Sequence, residues 1–210
     1  MKLAIIGAGN VGQALAGAAV RAGHAVRISA AHVEHAQAAA AVTGASAARS
    51  NRAAIQDADV VVLAVPATAF VSLVDEVGPD LAGRIVVDTS NVPTPDPSGS
   101  PATSAAEGLR ALLPEARVVK AFNTLFASRQ AAPVIEGQPV DGYVAGDDAA
   151  AKEVVLRLAE SIGLRPIDVG GLVMARTLEA MAWLNISLQL QNGWAWQTGW
   201  RLVGPTSKAA

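Results

Sequence analysis

The stretch Lys2-Leu3-Ala4-Ile5-Ile6-Gly7-Ala8-Gly9-Asn10-Val11-Gly12 decides the fold. Leu3 to Ile6 is a short apolar run of strand length that ends in two β-branched residues, and an alanine-rich helix from Val11 to Ala22 opens directly behind the glycines. In that strand-turn-helix setting each glycine has a physical task. The first permits the tight turn, the second lets the backbone approach a pyrophosphate, and the third lets helix and strand pack closely. The helix N-terminus adds N–H donors and partial positive charge. Gly7, Gly9, Asn10, Val11 and Gly12 are therefore the expected pyrophosphate cradle of a bound dinucleotide.

Working outward, the same kind of apolar run recurs at Ala25–Ile28, Val60–Val65, Ile85–Asp88, Val118–Ala121, Tyr143–Ala145 and Pro166–Val169, with alanine-rich helical stretches between. Continuous apolar runs are the mark of strands buried on both faces, so the expected class is α/β: a Rossmann-type parallel sheet with helices on both faces. Asp147 or Asp148 is expected to cap a helix over Ala149–Ile162 that stops at Gly163. The alternation ends near Gly170, which predicts a dinucleotide-binding domain over 1–170 and a C-terminal helical segment over 171–210. From Leu172 to about Trp200 that segment reads as one long helix or two abutting ones, buried on several sides and packed on a second subunit.

Composition removes whole classes of function. The chain of 210 residues has no cysteine, which excludes disulfide scaffolds, zinc-thiolate sites and cysteine nucleophiles, and its net charge of -2 offers no broad positive field for nucleic acid. No apolar run reaches the roughly 20 residues of a membrane span, so the expectation is a cytoplasmic protein with neither membrane nor nucleic-acid partner. There is no Ser-His-Asp order, no metal-ligand spacing and no evident pair of carboxylates in a site. Hydride transfer between stacked rings needs such groups least, because the cofactor carries the chemistry while the protein binds, orients and excludes water.

After the second strand, where an acidic residue selects NAD and an arginine favours NADP, the chain has Ser29-Ala30-Ala31-His32. Neither discriminator is present. Lack of a carboxylate favours NADP, with NAD possible, and Ser29 and His32 are candidate phosphate donors. Glu34 reads as a helix-start residue, and His24, His32 and His35 are all assigned to the adenosine half. Val65 and Pro66 end a strand expected to lie under the diphosphate and ribose. Lys120, Asn123 and Thr124 place an amine, an amide and a hydroxyl at the end of another, in reach of a nicotinamide carboxamide or a substrate carbonyl; capping of the next helix by Asn123 or Thr124 is the competing role. The loop Thr89–Pro101, with four prolines and a glycine, reads equally as a lid or as a surface connection. Trp183, Trp194, Trp196 and Trp200 all fall near the C-terminus. Trp196 and Trp200 are expected on one helix face, forming with Leu188 and Trp194 an aromatic patch for core, dimer interface or a tricyclic acceptor.

With these residues in hand, the chain resembles the NADPH-dependent reductases of the deazaflavin coenzyme F-420, and also the oxidoreductase domain of the six-transmembrane ferric reductases. The likeness rests on the opening Lys2–Gly12, on Val118-Val119-Lys120-Ala121-Phe122-Asn123-Thr124, on Val144-Ala145-Gly146-Asp147-Asp148, on Gly163-Leu164-Arg165-Pro166-Ile167-Asp168 and on the closing Arg176-Thr177-Leu178-Glu179. It implies a homodimer that exchanges hydride between nicotinamide C4 and a deazaflavin or flavin co-substrate. Nicotinamide contacts then fall on Val65, Pro66 and Asn91, and the acceptor pocket on Asn123, Thr124 and the closing helix. Where many members carry Ser-Arg or Arg-Arg after the second strand, this chain has Ala30-Ala31-His32. Two other readings stand beside this one. One is reduction of a small C=O or C=N substrate with Lys120 as proton donor or anchor. The other is a non-catalytic nucleotide-sensing module.

Overall fold

The computed structural model describes residues 1–92 and 103–204. The chain runs β1 (Lys2–Ile6), α1 (Asn10–Arg21), β2 (Ala25–Ser29), α2 (Val33–Thr43), β3 (Ser46–Ala47), α3 (Asn51–Ile55), β4 (Val60–Leu63), α4 (Phe70–Val77), β5 (Ile85–Asp88), α5 (Ala105–Leu112), β6 (Arg117–Ala121), α6 (Ala127–Ala131), β7 (Val134–Ile135), β8 (Gln138–Pro139), β9 (Asp141–Gly146), α7 (Ala149–Ser161), β10 (Arg165–Asp168) and α8 (Ala175–Asn192). Eight strands form one sheet in the order β3-β2-β1-β4-β5-β6-β9-β10, and β7 pairs with β8 in a separate hairpin.

Burial on both faces explains the sequence pattern. In β1, Leu3 and Ile5 enter one core while Ala4 and Ile6 enter the other. The first core lies under α1, α2 and α7, and the second under α3, α4 and α5, giving three layers. Alanines such as Ala16, Ala19, Ala36 and Ala106 are almost fully buried where helices meet the sheet, which is why the chain is rich in them.

All seven expected strands are present, but the sheet is not wholly parallel. β9 runs antiparallel to β6, pairing Ala121 with Val144, and β10 follows β9. Between β6 and β9 the chain has only the short α6 and the β7–β8 hairpin, with no long helix of the kind that usually carries a parallel crossover back along the sheet.

Asp148, not Asp147, caps α7, its Oδ1 accepting from Ala151 N at 2.7 Å, while Asp147 accepts from Leu172 N at 2.8 Å. The C-terminal segment also departs from expectation. α8 buries one face (Leu178, Glu179, Ala182, Asn185, Gln189) and leaves Leu184 and Leu190 exposed. It ends at Gly193 in the left-handed region. Residues 194–204 are not helical, so Trp196 and Trp200 share no helix face. Trp200 packs with Tyr143 and Leu178, whereas Trp196 meets Phe126 edge-on, its ring centroid at 5.2 Å. The expected patch is therefore divided. Residues 93–101, which carry most of the loop read as lid or connection, lie outside the described residues. Among the described residues no helix is long and apolar enough to cross a membrane.

Candidate functional site

β1 hydrogen-bonds to β2 on one side and β4 on the other, so the chain leaves the sheet in opposite directions from β1 and opens a crevice at the strands' carboxyl ends. The glycine turn sits there. Gly7, at φ +114°, donates its N–H to Ser29 O at 2.9 Å, and a Cβ on it would lie 2.2 Å from Ala64 O. A Cβ on Gly12 would lie 1.9 Å from Gly7 O. Around Gly9, by contrast, a Cβ would meet nothing within 4 Å among the described residues. Two glycines thus serve packing and the third borders open space. Gly9 is also the N-cap of α1 without a side-chain cap, and the first backward bond is Gln13 N to Gly9 O at 2.9 Å. The amides of Asn10, Val11 and Gly12 are left as the helix's free donors. Gln13 Nε2 braces the turn through Ala8 O at 2.8 Å. Shape and donor set both fit a pyrophosphate.

On the adenosine side, Ser29 is fully buried and its hydroxyl donates to Asn51 Oδ1 at 2.8 Å. It is a brace for the turn, not the phosphate donor that the sequence suggested. His32 occupies the N-cap position of α2, largely exposed, with Nδ1 3.9 Å from Glu34 Oε1 and its ring edge-on to His35. His24 is not on this side. It precedes β2 and contacts the Met1 amino group at 3.2 Å and Ser161 Oγ at 2.8 Å; burial, then the amino-terminal charge, lower its pKa. A cavity of about 270 Å³ lined by Leu3, His24, Val26 and Arg27 opens at this opposite end and does not adjoin the glycine turn.

Further along the crevice, Val65 is half-buried against the second core and Pro66 is exposed beyond the end of β4. The ends of β5 and β6 hold a group of charges that the sequence did not reveal. Lys120, with no exposed surface, donates to Asp88 Oδ2 at 2.8 Å, to Glu179 Oε1 at 2.7 Å and to Ser90 O. All three ammonium protons are accounted for. This corrects two expectations: Lys120 is not a free amine facing a substrate, and a pair of carboxylates does stand at this edge. Asp88 Oδ1 accepts from Ser90 N at 2.8 Å, and Glu179 accepts from Val92 N at 3.1 Å and Ala105 N at 3.0 Å. Trp183 Nε1 donates to Val92 O at 3.2 Å. Asn91 is thus held between two clamped neighbours.

Asn123 and Thr124 are 6% and 3% exposed and cap no helix, since α6 begins after Phe126 without a side-chain cap. Asn123 Nδ2 donates to Asn91 Oδ1 at 2.9 Å, and among the described residues Asn123 Oδ1 has no partner. Phe122, just before it, sits at φ 65°, where a bulky side chain is costly, and Gln130 Nε2 holds its carbonyl at 3.0 Å. The strain turns the chain sharply off β6 and places Asn123 beside Asn91. Gly7–Gly12, Val65, Pro66, Asn91, Asn123 and Thr124 therefore share one edge. His32 borders it, while Ser29 and Lys120 are sealed beneath it.

The family resemblance read from the sequence is borne out by comparison with known proteins. Residues 2–92 match the family described as NADP oxidoreductase coenzyme F420-dependent. The chain is 35% identical over 146 residues to the F420-dependent NADP reductase of Methanocaldococcus jannaschii, covering 63% of each protein. It is 40% identical over 115 residues to metalloreductase STEAP3 of Rattus norvegicus, 54% of this chain but 22% of that one. The chain therefore spans under two thirds of one relative and about a fifth of the other. A crystal structure of a candidate F420-dependent NADP-reductase from Arthrobacter sp. fb24 superimposes with a TM-score of 0.83 at 29% identity, covering 96% of this chain and 99% of that one.

Proposed function

From this kinship with the F420-dependent NADP reductases, we propose that the chain is an NAD(P)H-dependent oxidoreductase passing hydride between a nicotinamide and a flavin-like ring, with a deazaflavin as the preferred acceptor class. The observation that carries the reading is the space at Gly9, open among the described residues, beside the free amides of Asn10, Val11 and Gly12, on the same edge as Asn91 and Asn123. When bound, the nicotinamide supplies the hydride chemistry itself.

The chain's own residues bind and orient. The amides at the start of α1 hold the pyrophosphate, and the lack of a Cβ at Gly9 lets it approach. Val65 and Pro66 flank the ribose. Asn123 Oδ1, buried and without a partner among the described residues, accepts from a carboxamide or ring N–H, and Asn91 fixes its orientation. Lys120 acts at one remove by holding Ser90 O, and so Asn91, in place. Reduction of a C=O or C=N bond by proton donation from Lys120 loses its donor, because that ammonium is enclosed by two carboxylates. The reading also takes the chain as cytoplasmic and as a homodimer, and the exposed Leu184 and Leu190 on α8 support the second of these.

Anaerobic mixing of the protein and NADPH with a deazaflavin, a flavin and a carbonyl and imine panel tests this, followed by loss of reduced-nicotinamide absorbance. Turnover with the deazaflavin supports the proposal. Turnover with carbonyls or imines alone overturns the acceptor class, and failure of calorimetry to detect NADPH binding overturns the dinucleotide site.

A further inference from the structure

Arginine is paired almost throughout this molecule. Every other arginine among the described residues reaches a carboxylate or a main-chain carbonyl, from Arg27 on Asp57 to Arg176 on Glu107. Arg49 is exposed and has no partner among them.

Its position gives that free cation a meaning. β3 runs parallel to β2 with Arg27 opposite Ser46 and Ile28 opposite Ala47, and Ala48 N continues the ladder by donating to Ile28 O at 2.8 Å. Carried on by two pairs beyond Ile28 and Ala47, the register sets Arg49 beside Ala30, at the end of β2 where this fold meets the adenosine ribose. The backbone on either side is pinned. Ser29 Oγ donates to Asn51 Oδ1 at 2.8 Å, Asn51 Nδ2 to Glu76 Oε2 at 2.8 Å, and Ser50 Oγ accepts from Ala53 N at 3.1 Å. Arg49 therefore stands on a fixed base with its guanidinium uncommitted. Ala30 and Ala31 offer no side-chain donor there, and His32 is turned toward Glu34.

Taking the dinucleotide reading as given, we infer that Arg49 selects NADP over NAD by holding the phosphate monoester on the adenosine 2′-oxygen. The selecting charge then comes from the end of β3 rather than from the loop after β2. A guanidinium presents a planar fork of donors that matches phosphate oxygens, keeps its charge at any working pH, and is more weakly hydrated than an ammonium.

Wild type, Arg49→Gln and Arg49→Lys are titrated by calorimetry with NADPH, NADH, adenosine 2′,5′-bisphosphate and AMP. The expected result is that Arg49→Gln weakens NADPH and the bisphosphate by about tenfold or more, leaves NADH and AMP unchanged, and is partly rescued in Arg49→Lys. Equal weakening of all four ligands, or undiminished NADPH binding in Arg49→Gln, overturns the assignment while leaving the crevice reading intact. Failure of wild type to bind either cofactor overturns both.

Discussion

Lys120 and Glu179 lie 59 positions apart in the chain and 2.7 Å apart in the folded protein, with neither side chain exposed. Such a pair is marginal as a source of stability but costly to break, because the surviving charge stays buried without its partner. Lys120→Ala should lower the unfolding free energy by about 3–5 kcal/mol, measured by urea denaturation. A stable Lys120→Ala protein that binds NADPH yet turns nothing over would instead restore Lys120 as a proton donor.

Gly9 and Gly12 separate function from packing. Gly9→Ala adds a methyl group to open space at φ -76°, so its melting temperature should match wild type while NADPH binding falls by about tenfold or more. Gly12→Ala drives a methyl into Gly7 O and should cost more than about 2 kcal/mol. Thermal melts and calorimetry on both variants check the contrast; unimpaired NADPH binding by Gly9→Ala would sink the cradle assignment.

The pair Glu107–Arg176 predicts a pH dependence. Arg176 donates to both carboxylate oxygens at 2.7 and 2.8 Å, and it is the first cause holding the Glu107 carboxyl down at about 2. A carboxyl depressed in the folded state stabilises fully above its unfolded value, near 4.5, and this contribution is lost as pH falls toward about 2. Glu107→Gln should therefore melt about 2–4 °C below wild type at pH 7, with the gap closing between pH 4.5 and 2. A gap that is constant with pH would show that the charge is not responsible.

The turn of the β7–β8 hairpin invites a stabilising change. Glu136 and Gly137 form its two-residue loop at φ 50° and 75°, a geometry that asparagine tolerates far better than glutamate. Glu136→Asn should gain about 0.5–1 kcal/mol in denaturant unfolding. No gain would place the strain elsewhere.

The central strands were legible because burial on both faces writes itself as uninterrupted Val, Ile and Leu, as at Val60–Leu63. The direction of β9 was not, since an apolar run reports a strand and says nothing of its neighbour's sense. The glycine cradle was legible because its spacing is set by local backbone contacts. The Lys120 cluster was not, although one trace was present: Asp88 and Lys120 occupy paired positions in adjacent strands, and a charge inside an apolar strand requires a partner. Glu179 comes from a helix whose docking no local pattern encodes. The helix read through to Trp200 ignored Gly193, whose left-handed conformation ends it. Ser29 looked like a donor to a ligand because sequence cannot tell that Asn51 already takes its proton.

The carboxylate of Glu179, accepting from both Val92 N and Ala105 N, joins two points of the chain on either side of residues 93–102. In a chain with no cysteine this is a clasp without a covalent bond. A disulfide restrains the unfolded chain as well as the folded one, whereas this fastening exists only once α8 has docked. During synthesis Asp88 and Lys120 emerge well before Glu179. The nascent sheet must wait for its last helix before that edge of the crevice can lock.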